Sequence, residues 1–220
     1  PTKVVVLDTS SVVNTSGLIS LLESNNYEVV ISTLLTEEID PESAFVVLPQ
    51  PVGDLSVEEV KKLENYLDNN SNFNKSLIFI ASFQSSVQPT LKNFLADWGL
   101  EVGDDIIYEN DSSYAVKNYF STINTVEDDI KAQLTNPQLP LVVPYSKPVT
   151  LLFEEKDGGR FTSGIASTSP SASLMPVDAD ETFDVASQPQ QSFNTIAKGY
   201  RNKTISNEIH TSQVIAIGSD

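Results

Sequence analysis

A strand–helix–strand–helix run between Ala44 and Asp105 constrains the fold of this chain more than any other stretch. Ala44 to Leu48 is a buried-strand pattern that meets a turn bracketed by Pro49, Pro51 and Gly53. Ser56 and Glu59 then stand at the spacing of a capping box, where each side chain satisfies an orphan N–H at a helix start. Val57, Val60, Leu63 and Leu67 follow at helical spacing and predict one apolar stripe. Leu77 to Ala81 is a short apolar run of the kind a parallel sheet buries on both faces. Leu91, Phe94, Leu95 and Trp98 predict a second stripe, ended by Gly99, which tolerates the left-handed conformation just past a helix.

The flanking sequence extends this order. Lys3 to Leu7 reads as a first central strand, Gly17 to Ser24 as a short helix and Tyr27 to Ser32 as a second strand. Alternating strands and helices imply parallel pairing and right-handed crossovers. The expected fold class is α/β: a mostly parallel doubly wound sheet, flavodoxin-like or class I amidotransferase-like, with an irregular, β-containing C-terminal half. The expected organisation is one domain over residues 1–220. Its regular core covers 1–110, and its irregular excursions cover about 111–139 and 155–191. A helix is predicted around Val126 to Leu134, strands at Leu141 to Val143 and Val149 to Phe153, and a turn at Glu155 to Gly159. Further strands are predicted within Ser192 to Arg201 and Gln213 to Ile217. Pro176 to Gln191 is acidic and aperiodic, so it reads as an exposed excursion.

Composition excludes several functions. Thirty acidic against 13 basic residues give a net charge of −17, which repels phosphate backbones, so no nucleic-acid partner is expected. The chain has no cysteine, which removes thiolate catalysis, disulfides and Cys-ligated zinc. No apolar run approaches the roughly 18 residues of a membrane helix. The start at Pro1 and the strand-like end SQVIAIGSD read as a segment whose flanking parts have been removed.

Catalytic motifs are scarce. No P-loop, G-x-G-x-x-G or G-x-S-x-G pattern occurs, and no EF-hand spacing joins the acidic pairs Asp104–Asp105, Asp128–Asp129 and Asp178–Asp180. The Gly cluster from Lys156 to Arg160 reads as a turn. His210, the one histidine, reads as a surface residue. No cofactor and no metal are expected. The best ligand-site candidates follow from topology, because parallel sheets bind ligands beyond the carboxyl ends of their strands. Asp8, Thr9, Ser10 and Ser11 follow the first strand, Gln50 the third and Ser82 the fourth. Together they could line a polar cleft for a small polar ligand or glycan. Ordinary loop capping uses the same residue types.

Three segments also carry a family resemblance: GLISLLESNNYEVVISTL, IDPESAFVVLPQPVGDLSVEEVKKLENYLDNN and LKNFLADWGLEVGDDIIYEN. Within them, Asp54 to Glu59, Tyr66 to Asn69 and Leu95 to Asp105 hold the family-like motifs. PLVVPYSKPVTL and the closing VIAIGSD are similar to family strands. In order and spacing the chain resembles GldG-type proteins, gliding-motility-associated auxiliary components of ABC transport systems. The resemblance implies a non-catalytic, extracytoplasmic binding or interaction domain, anchored to the cell membrane by segments outside this chain. Its implied partners are the ABC permease and ATPase subunits of the same system. A different reading of the residues is an α/β hydrolase or glycan-active enzyme using carboxylates and His210.

Overall fold

The computed structural model describes residues 1–156 and 158–220. Asp157, inside the expected turn, lies outside the described residues. In chain order the elements are β1 (Thr2–Leu7), α1 (Ser16–Ser24), β2 (Tyr27–Ser32), β3 (Phe45–Pro49), α2 (Val57–Asp68), β4 (Ser76–Ile80) and α3 (Pro89–Asp97). There follow β5 (Leu100–Val102), β6 (Ile106–Glu109), β7 (Ala115–Val116), β8 (Asn118–Val126), α4 (Asp128–Lys131), β9 (Leu141–Pro144) and β10 (Val149–Leu151). The chain ends with β11 (Glu155–Lys156), β12 (Arg160–Ser167), β13 (Ala172–Met175), β14 (Asn194–Ile205) and β15 (Glu208–Ile217).

The main sheet runs β2-β1-β3-β4-β15-β14-β12-β8-β7, with β11 on β12 and β9 on β8. The first five strands in that order are parallel neighbours. From β14 outward every pair is antiparallel. The protein is therefore a mixed α/β sheet with a parallel core, and half of it departs from the doubly wound expectation. The reason lies in the C-terminal strands. β14 and β15 form one long hairpin closed by Ser206 and Asn207, both with φ above 0. A hairpin can only pair antiparallel, so β15 completes the parallel core while β14 starts an antiparallel wing.

One face of the core is fully packed. Val5, Leu7, Val46, Leu48, Leu77, Phe79, Val214 and Ala216 project from it into a single cluster with Leu63, Leu67, Leu91, Phe94 and Leu95 of α2 and α3. The α2 capping box forms as expected, with the Glu59 N–H donating to Ser56 Oγ at 3.2 Å and the Ser56 N–H donating to Glu59 Oε2 at 2.8 Å. Val57 leaves the expected stripe and is 72% exposed. At 100° per residue it sits about 120° around the helix from Leu63. Tyr66 takes its place and donates its hydroxyl to the Ser43 carbonyl at 2.9 Å. Trp98 is buried at the end of α3, and Gly99 adopts φ +83°.

Among the described residues the other face carries one helix, α1, nine residues long. The link from β2 to β3, residues 33–44, contains no helix, so the helical layer that a doubly wound fold places there is incomplete. The helix expected at Val126 to Leu134 is likewise a single turn, α4, since Pro137 and Pro140 soon break the chain.

Asp54 couples the two helices of the packed face. Its carboxylate accepts the Thr90 N–H at 2.9 Å, and the Leu91 and Leu55 N–H groups as well. It thereby caps α3, whose own N-cap residue Gln88 makes no side-chain cap bond. Burial pushes the Asp54 carboxyl up, but these N–H donors outweigh it and hold it below the usual range. A carboxyl depressed in the folded state stabilises above its unfolded pKa, and that contribution is lost as pH falls through the folded value. Asp54→Asn should cost about 1 kcal/mol at neutral pH. In urea titrations below about pH 4, the gap between wild type and variant should then shrink.

Gly199 marks the closest approach of α3 to the sheet. A Cβ there would lie 1.8 Å from the Trp98 carbonyl oxygen, whereas one at Gly17 in α1 meets nothing within 4 Å. Gly199→Ala should destabilise by about 3 kcal/mol or more, through backbone displacement. Gly17→Ala should stabilise by about 0.5–1 kcal/mol. Thermal denaturation of the two variants checks both signs.

Candidate functional site

The topological switch point lies between β1 and β3, because the chain leaves β1 to one side for β2 and returns on the other for β3. All six candidate residues sit at this carboxyl edge of the parallel strands, but their polar groups are turned on one another. Thr9 donates its hydroxyl to the Pro49 carbonyl at 2.9 Å, and Ser11 donates to the Gln50 carbonyl. The loop after β1 is thereby stapled across the crevice to the end of β3. Asp8 accepts the Ser10 N–H at 3.1 Å within its own turn, where Ser10 has φ +52°.

Gln50 does the same between β3 and β4. Its amide donates to the Ser85 carbonyl and hydroxyl, each at 2.9 Å, and its oxygen accepts the Ser82 N–H at 3.0 Å. Gln50 and Ser82 are both buried, and the Ser82 hydroxyl accepts the Gln84 N–H. Asp8, Thr9 and Ser10 line a cavity of about 260 Å³ with Leu34, Asp54 and Glu59. Ser11, Gln50 and Ser82 do not line it.

His210 lies at the opposite edge of the sheet. It pairs with Lys203 across the β14–β15 hairpin, and its Nδ1 lies 2.8 Å from the Asn72 carbonyl and 3.0 Å from the Asn74 amide. From His210 to Ile217, at the carboxyl edge, β15 rises about 23 Å. Asp8 and His210 are therefore not brought together. The carboxylate paired with His210 is Glu208, 4.0 Å away and highly exposed. Among the described residues no group of three or more His, Asp or Glu side chains could hold a metal ion.

Two features went unread in the sequence. The first is a cavity of about 420 Å³ on the incompletely covered face of the sheet. Leu18 and Leu22 of α1 form one wall, and Phe45, Ile78, Ile80 and Ile217 form the floor. Asp220 is its one charged lining residue. A signal for it existed: Leu77 to Ala81 and Val214 to Ile217 are apolar on both faces, and among the described residues α1 is the one helix on the second face. The second feature is Lys147, only 1% exposed. Its ammonium donates to the Ser85 carbonyl at 2.5 Å and makes no ion pair among the described residues. Burial pushes its pKa down against the opposing fields of Asp104 and Asp220. A lysine inside PYSKP gives no sequence signal of burial.

The switch-point staples predict a sharp contrast. Gln50→Ala, which strands the Ser82 N–H, should cost about 2–3 kcal/mol. Asp8→Ala should stay within about 0.5 kcal/mol. Urea unfolding midpoints of the two variants measure the difference.

No family model and no curated protein matches the sequence. Among solved structures, the mmIFT52 N-terminal domain is similar, with a TM-score of 0.66 and 13% identity, over 99% of this chain and 86% of that one. A glutamine amidotransferase from Thermotoga maritima aligns with a TM-score of 0.45 and 8% identity, over 100% of this chain and 75% of that one. The likeness to the mmIFT52 domain is one of fold.

Proposed function

We propose that this chain is a non-catalytic binding and interaction domain, and that its working surface is the uncovered half of the second sheet face. The observation that carries the reading is the apolar cavity between α1 and the strands β3, β4 and β15. Its floor consists of side chains that a doubly wound fold would cover with another helix. A large apolar cavity with few polar groups is the default location for a binding site. The occupant that fits is an amphipathic helix from a partner, lying beside α1 and completing the layer. Asp220 and the net charge of −17 favour basic residues on its outer face.

The switch point supports the same reading, since Thr9, Ser11 and Gln50 hold its loops together. A hydrolase using His210 would need a nucleophile or acid within hydrogen-bond reach, and Asp8 stands at the other end of the sheet. The resemblance to GldG-type proteins supplies the setting: an extracytoplasmic domain of an ABC-type transport system, anchored in the membrane, whose partners are a permease and an ATPase. The finer fold class, flavodoxin-like or class I amidotransferase-like, belongs to this proposal and is supported by the five parallel strands and their switch point.

The test uses a synthetic 18-residue Leu/Lys helix with one apolar stripe, titrated by calorimetry. It should bind saturably, and Ile80→Glu should weaken it at least tenfold. The substitution adds negative charge, so attraction by net charge alone would strengthen binding. Unchanged or tighter binding would therefore overturn the proposal.

A further inference from the structure

Five aromatic rings form a continuous row of contacts beyond the carboxyl edge of the sheet. Tyr119 stacks on Tyr108, Tyr108 meets Phe120 edge-on, Phe120 stacks on Tyr145, and Tyr145 stacks on Phe83. Each centroid separation is 5.3 or 5.4 Å. Tyr119 and Tyr145 are 43% and 38% exposed. The hydroxyls of Tyr108, Tyr119 and Tyr145 make no hydrogen bond to the described residues. Phe83, at the end of the row, also lines a cavity of about 290 Å³ with Asp104, Asp105 and Asp178 in its walls. Lys147 is the one cation there, and its ammonium is held by Ser85. Three carboxylates against one ammonium leave the cavity acidic.

We infer that the aromatic row and the acidic cavity form one groove for a proline-rich peptide segment in the polyproline II conformation, with a basic residue at the end that enters the cavity. Three features match. The exposed aromatic surface of Tyr119 and Tyr145 suits pyrrolidine rings, as in other aromatic-lined grooves that dock such segments. Single ring steps of 5.3 or 5.4 Å are on the scale of a polyproline II turn of roughly 9 Å. A polyproline II backbone makes no internal hydrogen bonds, so its carbonyls can accept from the three free phenol groups. The carboxylates then select a Lys or Arg over a neutral or acidic neighbour. A neutral oligosaccharide could use the ring faces but would draw nothing from the charge of the cavity. This surface is separate from the helix-docking cavity and does not depend on it.

Calorimetry of the whole chain with a synthetic peptide of eight prolines, with an Arg at each end, tests the inference. Saturable binding below about 1 mM is expected. It should weaken at least tenfold in Tyr145→Ala or Tyr119→Ala. It should weaken at least fivefold in the Asp104→Asn/Asp105→Asn double variant, and it should be lost when Glu replaces both Arg residues. Tyr119, at the exposed end, keeps the test valid if Tyr145→Ala does not fold. Ile80→Glu should leave this binding unchanged. The inference is overturned if the Arg peptide does not saturate, if the Glu peptide binds equally well, or if both tyrosine variants bind like wild type. Tyr145-dependent binding of cellohexaose without binding of the peptide would overturn it too, and would assign the groove to a glycan.

Discussion

β15 lies between β4, to which it runs parallel, and β14, to which it runs antiparallel. Its register with β4, from Gln213 on Ser76 to Ile217 on Ile80, joins residues more than half the chain apart in sequence. The antiparallel wing of the main sheet hangs from this pairing. β14 follows from the hairpin, β12 pairs with β14, and β8 pairs with β12. The hairpin is anchored from the helical side as well, since the Trp98 carbonyl packs against Gly199 of β14 where no side chain would fit. The Arg201 guanidinium stacks 4.0 Å over the Trp98 ring and pairs with Asp97 at 2.6 Å. Closing such a long loop is entropically costly before it is rewarded, so the strand-to-strand contacts and these anchors form as one unit.

The same pairing closes the usual entrance to a parallel sheet. Past Ile217 the chain meets the segment around Lys147, whose N–H donates to the Gly218 carbonyl at 2.8 Å, while Ser219 donates its hydroxyl to the Pro144 carbonyl. A Cβ on Gly218 would stand 2.1 Å from the Lys147 carbonyl oxygen, so that approach is nearly as tight as the one at Gly199. Buried Lys147 pins this segment to the loop after β4 through Ser85, the residue that also accepts from Gln50. The carboxyl edge is thus spent on joining the parallel core to the strands beyond it. Surface for binding is left on the open sheet face and on the outer side of those strands.

Much of the N-terminal half was legible because its signals are local. The Ser56–Glu59 box, the Leu63–Leu67 stripe and the Gly99 stop each act within a few residues. The C-terminal half was less so. Ser206–Asn207 makes a two-residue turn with positive φ at both positions, a task for which Asn-Gly is the readable signal. The hairpin strands therefore looked shorter than they are, and the sense of β14 could not be read. The candidate site was legible in place but not in role. Thr9, Ser11, Gln50 and Ser82 were expected at the strand ends and stand there, yet hydroxyls and amides that bind ligands are the same groups that staple loops. Only the direction of each hydrogen bond separates the two.

The open sheet face shows why an apolar floor needs a partner more than a polar edge does. A hydroxyl or amide without a ligand can bond to its neighbour or to water, as Ser11 and Gln50 illustrate. Ile78, Ile80 and Ile217 have no such alternative, since exposed apolar area is relieved only by burial. Val4 and Val6 are buried, but α1 is only nine residues long and leaves Ile78, Ile80, Ile215 and Ile217 of β4 and β15 half-buried. At roughly 25 cal/mol per Å² of apolar surface, covering those side chains would stabilise this side of the core. Charge acts afterwards: with a net charge of −17 a second copy of the chain is repelled, and a basic amphipathic helix meets both conditions at once.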